Sequence, residues 1–495
     1  MSGLDLPDVV SVTELPGDAE QADVVVIGFG IAGGCAALEA ARAGAHVVLL
    51  ERAAVHGGTS AMSGGHFYLG GGTAVQQATG HEDTPDDLYD YLLATSARPD
   101  KDKIRAYADG SVEHFDWLEA LGFEFERSFY PHKAVIQPGT EGLMYTGNEK
   151  VWPFREQARP APRGHKVPMP GETGGTQLVL DLLRDRLAEA GVEVRYETGA
   201  DALVVSTSST SGGSSTDGEQ AVVGVRWRRF TESGFLRARS VVIAAGGFVM
   251  NREMVALHTP ELAEKPFVLG STYDDGLGIR LGESVGGATE FMDEPFITAP
   301  FYPPARLVTG ILVNKLGQRF VAEDSYHSRT SSFVMDQPDH AAYLIVDSEH
   351  IEHPVFPLAP FIDGWDTIAE MEAGLGLPTG SLEATLGRYN EYAARGEDPD
   401  FHKHPDWVEP QSAGPWGAYD LTLGKALYAG FTIGGLATSV DGEVLRADGS
   451  VIGGLFAAGA CASNLVQDSK GYNSGTQLGE GSFFGRRAGR RAARG

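Results

Sequence analysis

A glycine-rich turn between two apolar runs, near the start of the chain, most constrains its fold. Residues 23–27 read DVVVI and lead into Gly28, Gly30 and Gly33 in the spacing GxGxxG; a small-residue segment and a second apolar run, ending in Glu51, follow. This order of strand, turn, helix, strand and acid is typical of a dinucleotide site, where glycines admit a pyrophosphate and the acid reaches ribose hydroxyls. The alternative is a βα unit whose glycines serve packing only. The sequence therefore predicts an α/β, Rossmann-like domain.

Composition and charge exclude several kinds of partner. The 495 residues are 42% hydrophobic and carry a formal net charge of −28, which opposes binding to nucleic acid or an anionic membrane. The two cysteines, Cys35 and Cys461, exclude a disulfide framework, so we expect a reducing, cytoplasmic compartment. We also expect no signal peptide, no transmembrane segment and no metal site.

The chain divides into a split domain and an insertion. Prolines and aromatic residues become frequent from about residue 291, and the glycine-rich block 451–459 reads as a return to the first fold. We expect a nucleotide-binding domain at 20–290 and 428–495, an inserted α+β cap at 291–427, and a polar tail at 1–19. The active site should lie between the two domains. The low-complexity segment 206–219 is expected to be a disordered hairpin tip.

Two hydroxyl side chains precede the last predicted helix. Tyr472 and Ser474 stand just before Gly475, where that helix begins. Hydroxyls beside a helix N-terminus suit a site that polarises a carbonyl and moves a proton. The alternative is that Ser474 only caps the helix, because the segment from Ser474 to Gln477 fits the capping pattern S-x-x-Q. Both interpretations, alone or together, stay open at this point.

Several sequence blocks, in order, resemble the flavoprotein family of fumarate reductases, succinate dehydrogenases and 3-ketosteroid dehydrogenases. Besides the fingerprint, they are GGTSAMSGG (57–65), VVIAAGG (241–247), GQRFVAE (317–323), GGLATSVDGEVL (434–445), GGLFAAG (453–459) and GTQLGEGSFFGRRAG (475–489). The resemblance covers nearly the whole chain and implies FAD as the cofactor, with its ring facing the inserted cap. The fingerprint and the resemblance together imply FAD contacts from Gly28, Gly30, Ile31, Ala32, Gly33, Glu51, Arg52, Gly58, Thr59, Ser60, Ser63, Gly64, Gly65, Ala202, Ala245, Gly246, Gly459, Ala460, Gly475, Thr476 and Leu478.

Departures from the family pattern narrow the expectation. Members with covalent flavin carry a histidine in the first of these blocks, and its place falls on Gly58 here. The resemblance therefore implies non-covalent FAD, with the nearby His56 as the residue to check. Fumarate reductases hold a dicarboxylate with a histidine and an arginine, whose places are taken by Phe431 with its neighbour Gly430 and by Tyr472. Without those cations, a neutral ketone suits the site better.

The tyrosines favour one branch of the ketosteroid dehydrogenases. Members that form the C4–C5 double bond of 5α-3-ketosteroids carry Tyr-x-Ser at this place and a tyrosine in the cap, a pattern that Tyr472, Ser474 and Tyr326 match. Members that form the C1–C2 bond carry a tyrosine followed by Pro-Gly. The resemblance implies the first activity, with C1–C2 dehydrogenation or an enone reductase as alternatives. It also implies a quinone or a redox protein as electron acceptor. A flavin-binding or electron-transfer subunit without substrate chemistry is the alternative from another class.

The family's chemistry implies a role for each hydroxyl. Tyr472, with the backbone N–H of Gly475 or Thr476, would stabilise the carbonyl oxygen as it becomes enolate-like. By the same resemblance, Ser474 and Tyr326 would remove the C4 proton. Tyr326 has competitors, since Tyr145, Tyr273 and Tyr302 also lie in loops of the kind that line pockets.

Overall fold

The computed structural model describes residues 5–208, 219–263, 266–302, 304–355, 358–463, 465 and 467–495. The α-helices of these residues are α1 (Ile31–Arg42), α2 (Gly58–Met62), α3 (Ala74–Ala78), α4 (Pro85–Thr95), α5 (Lys101–Glu119), α6 (Phe154–Gln157), α7 (Gln177–Glu189), α8 (Arg252–His258), α9 (Leu277–Ser284), α10 (His327–Met335), α11 (Ile368–Leu375), α12 (Ser381–Ala393) and α13 (Thr476–Ala492). Their strands are β1 (Val9–Ser11), β2 (Glu20–Ile27), β3 (Val47–Leu50), β4 (His66–Tyr68), β5 (Leu143–Met144), β6 (Gly164–Lys166), β7 (Glu193–Arg195), β8 (Gly199–Ser208), β9 (Glu219–Arg229), β10 (Glu232–Ile243), β11 (Phe267–Val268), β12 (Thr289–Glu290), β13 (Pro295–Thr298), β14 (Ile311–Asn314), β15 (Ala342–Asp347), β16 (Phe361–Trp365), β17 (Trp416–Asp420), β18 (Ala429–Thr432), β19 (Gly435–Leu436), β20 (Glu443–Leu445) and β21 (Val451–Ala457).

The largest sheet contains the predicted dinucleotide unit. Its strand order is β1-β8-β9-β21-β10-β2-β3-β7, with β20 paired to β21. Strands β21, β10, β2, β3 and β7 are parallel, and α1 connects β2 to β3. Val24, Val25 and Val26 are fully buried because apolar clusters cover both faces of the sheet. The α/β, Rossmann-like prediction is confirmed.

The strand at one edge of this sheet is formed by residues of the polar tail predicted at 1–19. Residues 9–11 form β1, which pairs in parallel with β8, and Val10 packs with Ala202 and Val204. These three residues of the predicted tail therefore belong to the sheet, through the pairing with β8 and the apolar contacts of Val10. Strands β8 and β9 pair up to Ser208 and Glu219. The predicted hairpin tip between them, residues 209–218, lies outside the described residues.

A second sheet lies within the region predicted as the insertion. It is antiparallel, in the order β14-β15-β17-β16, and has apolar clusters on both faces, one of them formed with α11 and α12. A three-stranded sheet, β11-β18-β13, joins this region to the nucleotide-binding part. The domain boundaries at 291 and 427 stay a prediction.

Close helix packing brings the two ends of the chain together. A Cβ atom added to Gly485 of α13 would lie 2.4 Å from the carbonyl oxygen of Ala32 in α1, and one on Gly489 would lie 2.1 Å from that of Ala36. Glycine at these two positions lets the helix backbones touch. The first turn of α1 therefore packs against the middle of α13, so the two helices run together along the large sheet.

Candidate active site and cofactor cavity

A cavity of about 550 Å³ lies beside the first turns of α1 and α13, where β2 and β10 end. Its volume is typical of a ligand site. The predicted FAD contacts that line it are Gly28, Gly30, Ile31, Ala32, Glu51, Arg52, Thr59, Ser60, Ser63, Gly64, Ala245, Gly246, Gly459, Ala460, Gly475 and Leu478. Tyr472 and Ser474 line the same cavity. The structure therefore brings together the two ends of the chain that the sequence motifs single out.

In the GxGxxG segment, a side chain at Gly28 or Gly33 would clash with the backbone. A Cβ on Gly28, whose φ is 100°, would lie 2.4 Å from the carbonyl oxygen of Ala244, and one on Gly33 would lie 1.9 Å from that of Gly28. Gly30 is the residue before α1 and has no side chain over the helix N-terminus. This leaves a backbone cradle at the positive end of a helix, which suits a pyrophosphate.

Glu51 is held in place by backbone donors at the end of β3. Its carboxylate accepts hydrogen bonds from the N–H groups of Phe29 (2.7 Å) and Ala53 (2.7 Å). Burial raises the pKa of Glu51, and these two N–H groups counteract that effect. A fixed carboxylate with one bond on each oxygen keeps lone pairs for ribose hydroxyls.

The block GGTSAMSGG (57–65) supplies hydroxyl groups to the cavity, and one of them binds a carboxylate that the sequence did not reveal. Ser60 accepts a hydrogen bond from the Ile31 N–H (3.2 Å), and Thr59 donates to Asp274, which also lines the cavity. Burial raises the pKa of Asp274. Asp274 was missed because the segment before α9 carries no glycine spacing like that of the fingerprint.

Five predicted FAD contacts do not line the cavity: Gly33, Gly58, Gly65, Ala202 and Thr476. Gly33 lies in α1 against the Gly28 carbonyl, and Gly65 packs so closely that a Cβ on it would lie 2.3 Å from Val167. The Thr476 hydroxyl instead donates to the Asn473 carbonyl (2.8 Å). Gly58 has a positive φ of 51° at the start of α2.

Ala202 is replaced in the cavity wall by Ala200. A β-bulge between these two residues of β8 shifts the pairing with β9. As a result Ala200 lines the cavity, whereas Ala202 packs against the cluster around Val10 on another side. A bulge changes which face a side chain occupies, and strand periodicity does not reveal it.

Two of the three predicted catalytic side chains, Tyr326 and Tyr472, meet in an apolar cluster. Tyr472 and Tyr326 are both buried, with ring centroids 6.3 Å apart, and Phe296 packs 4.4 Å from Tyr472. Tyr326 does not itself line the cavity. Of its competitors, Tyr273 lies under Arg52 at the cavity rim, and Tyr302 is buried beside His327.

Burial moves the pKa of both phenols further above neutral pH. It raises the pKa of Tyr326 beyond its usual range, with the Ser474 side chain acting in the opposite direction. It also raises the pKa of Tyr472, which the backbone N–H of Gln477 partly offsets. Both tyrosines are therefore hydrogen-bond donors at neutral pH, and neither is a phenolate base.

Ser474 does not cap α13. The N-cap residue of this helix is Gly475, with φ 96° and no side-chain capping bond, so the capping interpretation is wrong. The Ser474 backbone is instead held by Thr146, whose carbonyl accepts the Ser474 N–H (2.8 Å) and whose hydroxyl donates to the Ser474 carbonyl (3.0 Å). Ser474 lines the cavity, and its side chain lies beside the Tyr326 phenol.

Of the two backbone N–H groups predicted to bind the ligand carbonyl, that of Thr476 already has a hydrogen-bond partner. The Thr476 N–H donates to the Asn473 carbonyl (3.1 Å). Within the described residues, the Gly475 N–H has no hydrogen-bond partner, and Gly475 lines the cavity. Gly475 is therefore the backbone donor that a ligand oxygen could reach.

His56 is engaged away from the cavity. Its Nε2 lies 2.9 Å from the Asp181 carboxylate and its Nδ1 3.2 Å from the Tyr196 hydroxyl. It is not among the lining residues.

In the described part of the chain, no group of three or more His, Cys, Asp and Glu side chains could hold a metal ion. No described helix has both the length and the hydropathy to cross a bilayer.

Comparisons with known proteins agree with this arrangement. The model of the FAD binding domain family matches residues 23–479. The crystal structure of 3-ketosteroid-Δ4-(5α)-dehydrogenase from Rhodococcus jostii RHA1, in complex with 4-androstene-3,17-dione, is 39% identical, covers 99% of this chain and 100% of that one, and gives a TM-score of 0.90. A probable fumarate reductase of Shewanella frigidimarina is 27% identical over 97% of this chain and 76% of its own length. A 3-oxosteroid 1-dehydrogenase of Mycobacterium tuberculosis is 26% identical over 94% and 96%.

Proposed function

The chain belongs to the FAD binding domain family, and we propose that it is an FAD-dependent dehydrogenase that introduces the C4–C5 double bond into a 5α-3-ketosteroid. The observation that carries the proposal is the placement of Tyr472 and Ser474 in the wall of the cavity that contains the glycine cradle, with Tyr326 packed beside them. The Rhodococcus enzyme with this activity, at 39% identity, supports it.

The charge of the cavity wall supports a neutral substrate. Among the described lining residues, Arg52 is the one Arg or Lys, and it is paired with Asp275 (2.9 Å). Burial lowers the pKa of the lining histidine, His66, to about 4, so that side chain is neutral near pH 7. A dicarboxylate would therefore lose its hydration without gaining a cation, whereas a ketone needs only hydrogen-bond donors.

Tyr472 would polarise the ketone. When bound, FAD supplies the acceptor for the hydride that leaves C5. The proton at C4 becomes acidic only if the C3 oxygen is stabilised as negative charge develops on it. The Tyr472 phenol and the Gly475 N–H would both donate to that oxygen, in a buried setting where such bonds are strong.

Ser474 and Tyr326 would carry the proton. As the C4–H bond breaks, the Ser474 oxygen would take the proton and pass its own to Tyr326, which would release its phenol proton to solvent, while the electron pair of the C5–H bond leaves with the hydride. The substrate thus loses one proton and one hydride and gains the double bond. The raised pKa of Tyr326 means that it acts as a relay, because it has no negative charge of its own to offer.

The experiment is anaerobic mixing of the purified holoenzyme with a 5α-3-ketosteroid and, separately, with a 4-ene-3-ketosteroid. Flavin bleaching by the first, with a 4-ene product, is the expected result. Bleaching by the second alone would identify a C1–C2 dehydrogenase, and bleaching by neither would support a subunit without substrate chemistry. Full activity in both Tyr326→Phe and Ser474→Ala would contradict the proton assignment.

The mode of FAD binding, the acceptor and the compartment belong to the same proposal. Gly58 at the family's histidine place, and the engagement of His56 by Asp181 and Tyr196, support non-covalent FAD. Flavin that stays with the protein after denaturation would contradict this. Two buried free cysteines, Cys35 and Cys461, support a reducing, cytoplasmic compartment. The family resemblance supports a quinone or a redox protein as the electron acceptor.

A further inference from the structure

One short loop contacts both segments that carry the proposed catalytic side chains. Residues 146–149 precede the cis peptide bond between Trp152 and Pro153 and contain Thr146, which binds the Ser474 backbone through two hydrogen bonds of 2.8 and 3.0 Å. Two residues further on, the Asn148 Oδ1 atom accepts the backbone N–H of Tyr326 (2.9 Å). The loop therefore connects a residue of the predicted cap to the segment before α13.

A buried tyrosine completes the connection. The hydroxyl of Tyr91, on α4, accepts the Asn148 N–H (2.8 Å) and donates to the Oδ1 atom of Asn473 (2.6 Å). Asn473 stands between Tyr472 and Ser474 in the chain, and its Nδ2 donates to the Gly471 carbonyl (3.2 Å). Tyr91, Asn148 and Asn473 are all buried. One hydroxyl thus ties together the supports of both halves of the site.

The Asn148 side chain carries a buried polar group that lowers the stability of the fold. Its Nδ2 atom is buried and has no hydrogen-bond partner among the described residues. A buried, unpaired donor costs about 1–3 kcal/mol. An apolar side chain would avoid that cost, but it would leave the Tyr326 N–H without its acceptor. The polar group at this position is therefore explained by the Tyr326 N–H, which it pairs and holds in place.

We propose that Asn148 is a positioning residue, which fixes Tyr326 against Ser474, and that the Tyr91 hydroxyl couples it to the segment that carries Tyr472. The inference rests on the proposed function, since that function assigns the proton transfer to Tyr326 and Ser474. Asn148 acts through the Tyr326 backbone, so its removal misplaces the phenol without removing it. A displacement of the phenol by about 1 Å or less is expected to slow the proton step about tenfold to a hundredfold.

The first test needs no substrate. In the holoenzyme, Asn148→Ala should speed hydrogen exchange of the Tyr326 amide, measured by mass spectrometry on peptides that span residues 322–332. Asn314→Ala is the matched control. Asn314 is a buried asparagine of the predicted cap domain, and it accepts hydrogen bonds from the N–H groups of Leu316 (2.9 Å) and Gln318 (3.1 Å) away from the cavity. Unchanged exchange at Tyr326 in Asn148→Ala would overturn the proposal.

The second test separates positioning from general destabilisation. Asn148→Ala should lower the rate of flavin reduction by a 5α-3-ketosteroid about tenfold or more, with little change in KM. In a Tyr326→Phe background the same change should have less than about a twofold effect, because the group it positions is gone. Equal effects in both backgrounds would overturn the proposal. Asn314→Ala is expected to keep the wild-type rate.

Tyr91→Phe keeps the test decisive if Asn148→Ala does not fold. It retains the buried ring and removes both hydrogen bonds of the hydroxyl, so it should also speed exchange at Tyr326 and slow flavin reduction, though by less than Asn148→Ala. Wild-type exchange together with a wild-type rate would overturn the coupling. If no 3-ketosteroid reduces the wild-type flavin, the proposed function fails, and the exchange data alone still decide whether Asn148 holds Tyr326.

Discussion

The two tyrosines of this site are neutral phenols that are shielded from water. Tyr472 and Tyr326 lie among aromatic side chains, and their phenolates would be poorly solvated there. Both therefore keep their protons, and the proposed function assigns Tyr472 as a hydrogen-bond donor to the ketone oxygen. The same burial means that Ser474 has no strong base beside it. The proton step consequently depends on placement more than on pKa.

Tyr472→Phe should lower the rate of flavin reduction by a 5α-3-ketosteroid about 10²- to 10³-fold, because one donor to the developing oxyanion is lost. KM should change little, since the apolar ring remains. The measurement is single-turnover bleaching of the flavin at saturating steroid. Tyr419→Phe is the control, because Tyr419 is a buried tyrosine of β17 that donates to the Glu352 carbonyl (2.7 Å) outside the cavity. A rate within about twofold of wild type in Tyr472→Phe would contradict the assignment.

At the scale of elements, the site is made by the packing of α1 on β2 and of α13 on α1. The Gly33 backbone lies so close to the β2 turn that a Cβ would come within 1.9 Å of the Gly28 carbonyl oxygen. The glycines at 485 and 489 bring α13 equally close to α1. Two helix N-termini consequently point at one cavity, which places two positive dipole ends beside an anionic cofactor.

Gly33→Ala should reduce or abolish FAD binding, because the added methyl group pushes α1 away from the glycine turn. The measurement is the flavin-to-protein absorbance ratio of the purified protein, together with its melting temperature. Gly387→Ala is the matched control. It lies in α12 with no heavy atom within 4 Å of its added Cβ, so it should keep full flavin and gain up to about 1 kcal/mol of stability. Full flavin content in Gly33→Ala would contradict the steric interpretation.

At the scale of the whole molecule, the interior holds histidines that are neutral when folded. Burial lowers the pKa of His66 and of His165 to about 4 and that of His327 to about 3. Their unfolded values are about 6.5. Between these limits the unfolded chain binds more protons than the folded protein, so stability is lost as the pH falls through that range.

His165→Gln should flatten the decrease of melting temperature between about pH 6.5 and pH 4, because one fewer proton is taken up on unfolding. The loss of slope corresponds to about 1.4 kcal/mol per pH unit for each histidine. The measurement is the melting temperature of the holoenzyme across this range. His353→Gln, at an exposed position, should keep the wild-type slope. An unchanged slope in His165→Gln would show that this histidine is not buried neutral.

The sequence by itself determined the nucleotide-binding half of this protein. The glycine spacing, the apolar runs and Glu51 lie within 30 residues of one another, and local sterics require this combination for a turn that approaches a pyrophosphate. The family resemblance added the cofactor and pointed to Tyr472, Ser474 and Tyr326. These features are readable because each depends on neighbours in the chain.

Only the tertiary structure decided which side chains meet. The bulge that replaces Ala202 by Ala200, the loop that holds Ser474, and the contact of Asn148 with Tyr326 all join segments that are distant in sequence or depend on strand register. No periodicity reports such contacts, because they follow from how helices and sheets pack. The sequence therefore revealed the hydroxyls, and the packing around α13 brought Tyr472 and Ser474 into the wall of one cavity, with Tyr326 beside them.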